Sequence, residues 1–128
     1  SDSYRKIAQS FNDKDVLIVF ADVPPERASK TIPVNILGRP AKFRSGVLGM
    51  LAAEDVNYVK YRLGYNFQNG RRRLEISPLV SSTDQQEVAS DLADFLDSCL
   101  EQDSTQWYLW RHAPLFFGET DSANSDKP

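Results

Sequence analysis

Val16-Leu17-Ile18-Val19-Phe20-Ala21-Asp22-Val23-Pro24-Pro25 is the stretch on which the reading of the fold turns. Five successive aliphatic and aromatic residues without polar alternation predict a strand covered on both faces, as in the parallel part of an α/β sheet, and therefore a central one. The prolines and charged residues that follow, through Lys30, predict a loop at its carboxyl end. Upstream, Tyr4, Ile7, Ala8 and Phe11 recur at helical spacing, and Asn12-Asp13-Lys14-Asp15 ends that pattern. The opening order is therefore helix, turn, strand.

Residues 31–37 predict a second, shorter strand, and Pro33 within it removes a ladder donor and favours an edge or bulged position. Gly38-Arg39-Pro40 predicts a turn, and Val47, Leu48, Met50, Leu51 and Ala52 a short helix within residues 43–54. Gly46 and Gly49 inside it read as permitting close approach of a neighbouring element or a ligand, with close packing the favoured reason. Asn57, Val59, Tyr61, Leu63, Tyr65 and Phe67 share one face of an extended segment, and Tyr58, Lys60 and Arg62 share the other. Asn69-Gly70 signals a hairpin, with Arg72, Leu74 and Ile76 on the return strand. Thr83 or Asp84 can cap the next helix, and Glu87 completes a capping box if Asp84 is the cap. Val88, Leu92, Phe95, Leu96, Cys99 and Leu100 form its apolar stripe over about five turns, to near Glu101. An aromatic segment, residues 106–112, comes next, and residues 119–128 read as a frayed tail. The fold class is mixed α/β, a mixed sheet of about four strands packed by about three helices.

With 128 residues, 41% hydrophobic and 26% charged, the composition is that of one globular domain, residues 1–118, ahead of the tail. The longest apolar run is six residues, against the about 20 that a membrane-spanning helix needs. No secretory-signal pattern is present, and the start at Ser1-Asp2 without methionine reads as a processed or excised piece. The single Cys99 excludes an internal disulfide framework and a cysteine-based zinc cluster. Residues 1–83 hold 13 basic and 8 acidic groups and residues 84–128 hold 2 and 10, so a net charge of −3 conceals a dipole. A solvated acidic helix beside a mildly basic sheet accounts for it, with a phosphate-facing surface as the functional alternative.

His112 is the only histidine, so any imidazole chemistry falls there; no Ser/His/Asp arrangement and no metal site is legible. It reads as a structural histidine, with phosphate contact as its alternative role. Arg71-Arg72-Arg73 can meet phosphates, but strand alternation splits them between two faces, which favours hairpin solubility over nucleic-acid binding. Trp107, Tyr108 and Trp110 suit core packing as well as base stacking or a place at a bilayer interface. Glu54-Asp55 point apart and make no catalytic dyad, and no nucleotide-binding glycine loop is present.

Residues 16–20 with Ala21-Asp22-Val23-Pro24-Pro25, then Ile32-Pro33-Val34-Asn35-Ile36-Leu37-Gly38-Arg39-Pro40-Ala41, then Gly46-Val47-Leu48-Gly49-Met50-Leu51-Ala52-Ala53, together resemble bacterial lipid A biosynthesis acyltransferases. Gln106-Trp107-Tyr108-Leu109-Trp110-Arg111-His112 is similar to the carboxyl-terminal signature of those enzymes, members of the lysophospholipid acyltransferase superfamily. The resemblance covers about residues 4–117. Asp22 matches the loop aspartate of the family and Gly38, Pro40 and Ala41 its turn, while Leu37 stands where phenylalanine is preferred. The resemblance implies transfer of a fatty acyl chain from an acyl carrier protein or coenzyme A thioester to a hydroxyl of a lipid acceptor, without a cofactor or metal, at the cytoplasmic face of the inner membrane. It implies acceptor-binding roles for Asp22, Arg44, Arg111 and His112. The family works through H-x-x-x-x-D/E, whereas His112 is followed at the fourth and fifth positions by Phe116 and Phe117. The chain thus corresponds to the carboxyl-terminal half of such an enzyme, partnered by an upstream catalytic half. A non-catalytic binding or scaffold module is the rival reading, and nucleic acid is not expected as a partner.

Overall fold

The computed structural model describes residues 2–107 and 109–118; the expected tail and Tyr108 lie outside them. The described residues are mixed α/β, as the sequence predicts. In chain order they form α1 (Asp2–Asn12), β1 (Thr31–Ile36), β2 (Arg39–Arg44), α2 (Ser45–Ala53), β3 (Tyr61–Asn66), β4 (Arg71–Ile76), α3 (Gln85–Gln102), two 3-10 turns (Ser104–Gln106 and Trp110–His112) and α4 (Ala113–Phe117). The four strands divide into two separate antiparallel pairs, β1 with β2 and β3 with β4.

Residues 16–20 are the main correction. Expected as the central strand, they join no ladder: Val16 is 91% exposed, Ile18 68% and Phe20 73%. A strand buried on both faces needs neighbours on both edges. Here β1 pairs with β2 and β3 with β4, each through a short turn, and the apolar run joins the outer edge of neither pair.

The first pair is set by period two. Ile32, Val34 and Ile36 of β1 point inward, and Thr31, Pro33 and Asn35 outward. Residues 39–44, expected as a turn and the approach to a helix, instead form β2, with Val34 opposite Ala41 and Ile32 opposite Phe43. The turn itself is Leu37-Gly38, with φ of +52° and +71°; two left-handed residues in a two-residue loop match the twist of a hairpin. The Leu37 N–H donates to Asp97 Oδ1 at 2.8 Å, tying this turn to α3. Pro33 lies in a two-stranded pair, where every strand is an edge, and its carbonyl accepts from Gln86 Nε2 at 2.7 Å.

Helix α3 spans five turns, as expected, and packs on β1 and α2. Ala89 and Ala93, one turn apart and both buried, let the helix axis approach the strand carrying Ile32, Val34 and Ile36. Asp84 is its cap, with Oδ1 accepting from the Gln86 N–H at 2.8 Å. Glu87 does not close the expected box directly: the Asp84 N–H donates to Ser82 Oγ, and the Ser82 hydroxyl donates to Glu87 Oε2 at 2.6 Å. Asp84→Ala is expected to lower stability by about 1 kcal/mol, read from the urea midpoint, and a value near zero would show that the cap bond does not stabilise the helix.

One core results, with Phe43 and Phe116 fully buried at its centre and their rings edge to face at 6.3 Å. Trp107 closes it, buried against Phe116 at 5.6 Å and Trp110 at 4.8 Å. The expected close approach at the α2 glycines is seen at Gly49 alone, where an added Cβ would meet Gln85 Oε1 at 3.4 Å; Gly46 faces open space.

Candidate functional site

Between residues 15–22, residues 56–63, which lead into β3, and α3 lies a cleft of about 770 Å³. Its origin is the missing ladder. The run 16–20 lies beside the fold without pairing to β3, so a gap remains where a sheet would have closed. The wall is mainly apolar, with Phe43, Leu48, Leu92, Phe95 and Leu96 among its residues, and Asp22 and Trp107 also line it. Cationic side chains enter from β3 and the residues just before it: Lys60 and Arg62, which alternate with Val59, Tyr61 and Leu63.

The second hairpin presents its polar face inward. Lys60 Nζ donates to Asp91 Oδ1 at 2.5 Å, Tyr58 Oη donates to Asp91 Oδ2 at 2.9 Å, and the Lys60 ammonium stands 5.9 Å from the Phe95 ring centre. Arg62 Nη1 donates to Gln102 Oε1 at 2.8 Å. Asp91 and Gln102 are eleven residues apart, three helical turns, and so lie on one face of α3, toward Lys60 and Arg62. The opposite face of the hairpin carries Tyr61, Leu63, Leu74 and Ile76, all exposed. An apolar sheet face left in water is the mark of a surface that another element covers.

Burial is the main cause that pushes the Tyr58 hydroxyl above its ordinary range, followed by its bond to the Asp91 carboxylate and that group's charge. Burial likewise raises the Cys99 thiol, with nearby Arg62 opposing it. Asp103 is held below the usual carboxylate range by bonds from Thr105 and Gln106. Gln106 in turn acts like one residue of a neighbouring strand: its amide donates to the Tyr65 carbonyl at 2.7 Å and accepts from the Tyr65 N–H at 2.8 Å.

The four residues singled out in the sequence fall into separate places. Asp22 is half-buried in the cleft wall and accepts from Trp107 Nε1 at 3.3 Å, which fastens the loop after residues 16–20 to the aromatic core. Arg111 and His112 sit together on a 3-10 turn, with Arg111 Nε donating to His112 Nε2 at 3.2 Å. Arg44 ends β2 immediately before α2. Among the described residues, no hydrogen bond or ion pair links Arg44 to the other three. Tyr58, Lys60, Arg62 and Asp91 were not singled out as site residues. The signal available for the first three was their shared strand face; nothing in the linear order pairs them with Asp91.

Arg71, Arg72 and Arg73 are exposed on β4, with Arg73 3.2 Å from Glu75. Among the described residues, no helix is long and apolar enough to cross a membrane, and no group of three or more His, Cys, Asp or Glu side chains is placed to hold a metal ion. Comparison with family models, with curated proteins and with solved structures finds no match to this chain.

Proposed function

We propose that this chain is the carboxyl-terminal part of an acyltransferase that moves a fatty acyl chain from an acyl-carrier or coenzyme A thioester to a hydroxyl of a lipid, and that this part receives the acceptor. The observation that carries the reading is the cleft of about 770 Å³, mainly apolar, with Lys60 and Arg62 in its lining beside the carboxylates Asp15, Asp22 and Asp103. Its volume lies within the about 300–1,000 Å³ of ligand sites, and apolar walls beside a few charged groups suit a hydrocarbon chain with an anionic head. The bare apolar face of the β3–β4 hairpin supports a further layer, the catalytic half. Asp22 shapes the cleft through Trp107, while Arg44, Arg111 and His112 stand outside its lining and serve the acceptor only where the longer protein brings it to them. The acyl-carrier or coenzyme A donor, the lipid A precursor-like acceptor and a peripheral place on the inner-membrane face belong to the same proposal.

The test is a titration with dodecyl phosphate below its micelle concentration, read by tryptophan fluorescence in a Trp110→Phe background that leaves Trp107 as the emitter. Saturable binding is expected, at least about tenfold tighter than for dodecyl trimethylammonium, the difference that one charge-assisted bond supplies. Equal affinity for the two heads, or no saturation, ends the reading of the cleft. In the longer protein that the reading requires, Arg44→Ala slows acyl transfer at low acceptor concentration; an unchanged rate removes Arg44 from the site.

A second reading rests on His112, whose Nε2 is occupied by Arg111 and which has Phe116 and Phe117 at the positions where the family motif needs a carboxylate. It is a binding module without catalysis, which takes the same ligand and transfers nothing.

A further inference from the structure

We infer that the turn end of the β3–β4 hairpin, residues 65–73, enters the headgroup layer of an anionic bilayer, with Phe67 as an apolar wedge and Arg71, Arg72 and Arg73 as the phosphate contacts. The inference deepens the acyl-transfer reading, on which it rests for a place beside a membrane, by naming the surface that meets the lipid. Every residue from 65 to 74 is exposed, Phe67 at 75%, and the Phe67 ring stands edge to face with Tyr65 at 4.8 Å. Gln106 clamps the Tyr65 backbone to the body of the fold; beyond that clamp, the hydrogen bonds of residues 66–73 stay within the hairpin. The end of the hairpin therefore projects from the core. Solubility accounts for arginines there, but not for a phenylalanine held in water beside them.

Charge selects an anionic surface. From residue 56 to residue 74 the chain holds five basic and no acidic residues, whereas α3, behind the hairpin, holds five acidic and no basic ones. Lys60 and Arg62 turn toward α3, where they meet Asp91 and Gln102, which leaves Arg71, Arg72 and Arg73, with Glu75 beside Arg73 alone. Strand alternation puts Arg72 on the face of Tyr65, its cross-strand partner, and Arg71 and Arg73 on the other. A nucleic-acid backbone offers phosphates to one face of a hairpin; a headgroup layer surrounds an inserted end and offers them to both. Guanidiniums on long apolar stems around an aromatic pair suit the boundary between headgroups and acyl chains. The bilayer and the further layer of the acyl-transfer reading then meet the hairpin at opposite ends, the second toward Tyr61 and Ile76.

Co-sedimentation of the whole chain with sucrose-loaded vesicles is expected to show binding to equimolar phosphatidylcholine and phosphatidylglycerol, and binding at least about 100-fold weaker to phosphatidylcholine alone. Neutralising the arginines together, Arg71→Gln with Arg72→Gln and Arg73→Gln, is expected to weaken partitioning by about 100-fold, at roughly fivefold per charge. Phe67→Ser is expected to weaken it by about tenfold at high salt as at low, because burial of the ring is not screened. Residues 65–73 are exposed and do not line the cleft, so these variants keep the circular dichroism spectrum and the affinity for dodecyl phosphate. Loss of vesicle binding and loss of cleft binding are therefore separate results: absence of the first overturns this inference, absence of the second the reading of the cleft. Equal binding to neutral vesicles, or full binding by the triple variant, overturns the arginine contacts. Unchanged binding by Phe67→Ser overturns insertion and leaves adsorption alone. A single-stranded oligonucleotide that displaces the chain from mixed vesicles at equal phosphate concentration assigns the arginines to nucleic acid and overturns the inference.

Discussion

Phe43→Ala is expected to lower the unfolding free energy by about 3–5 kcal/mol, a large share of the 5–15 kcal/mol that holds a domain of this size together. The ring is fully buried, stands edge to face with Phe116 and borders the cleft. Truncation forfeits the transfer free energy of the ring and the aromatic contact, and the hole it leaves opens into the existing gap, so neighbours cannot close it cheaply. Phe43→Leu, which keeps most of the volume, is expected to cost about 1–2 kcal/mol. Urea unfolding with an unchanged slope measures both. Ile18→Ala is the informative contrast: at 68% exposure it is expected to cost little. The reverse order, with Ile18 costly and Phe43 cheap, would restore the central strand that the sequence predicts and refute the packing described here.

That contrast shows where sequence reasoning succeeds. Helix α3 is legible because its stripe, its cap at Asp84 and its length all agree, and each depends only on residues within the helix. The β3–β4 pair is legible from alternation and from Asn69-Gly70, although the connection is a four-residue turn in which Asn66 Oδ1 accepts from the Gln68 and Asn69 N–H groups. Only Gly70 of the dipeptide takes positive φ. Residues 39–44 are misread because proline and charge conceal β2, whose strand character comes from its pairing with β1 across a tight turn. Residues 16–20 are misread for the opposite reason: their composition is right for a central strand, but a strand also requires neighbours, and neighbours are a property of the fold. The candidate site divides in the same way. The inward polar face of Tyr58, Lys60 and Arg62 is visible as alternation, whereas its partners on α3 are visible only once helix and hairpin are packed together.

Asp91→Ala carries the second large effect, an expected loss of about 2–4 kcal/mol, because it strands a lysine that has little access to water. The Lys60 side chain is 11% exposed against 33% for Asp91, so the pair is partly solvated and the loss stays toward the lower end of the range for fully buried pairs. Replacing both partners, Lys60→Met with Asp91→Leu, is expected to restore most of the stability, since the penalty comes from the unpaired charge rather than from a missing attraction. The same pair sets a pH dependence. The Tyr58 hydroxyl is raised above its unfolded value near 10, by burial first and then by Asp91, so the folded chain holds this proton more tightly. Its contribution is complete below pH about 10 and declines as pH climbs beyond it; Tyr58→Phe is expected to flatten that decline in alkaline urea titrations. Binding runs against stability here. With Asp91 removed, Lys60 is released to meet an anionic head in the cleft, so Asp91→Ala is expected to bind dodecyl phosphate more tightly while unfolding more readily. Weaker binding in Asp91→Ala would show that the carboxylate positions Lys60 for the ligand instead of competing with it.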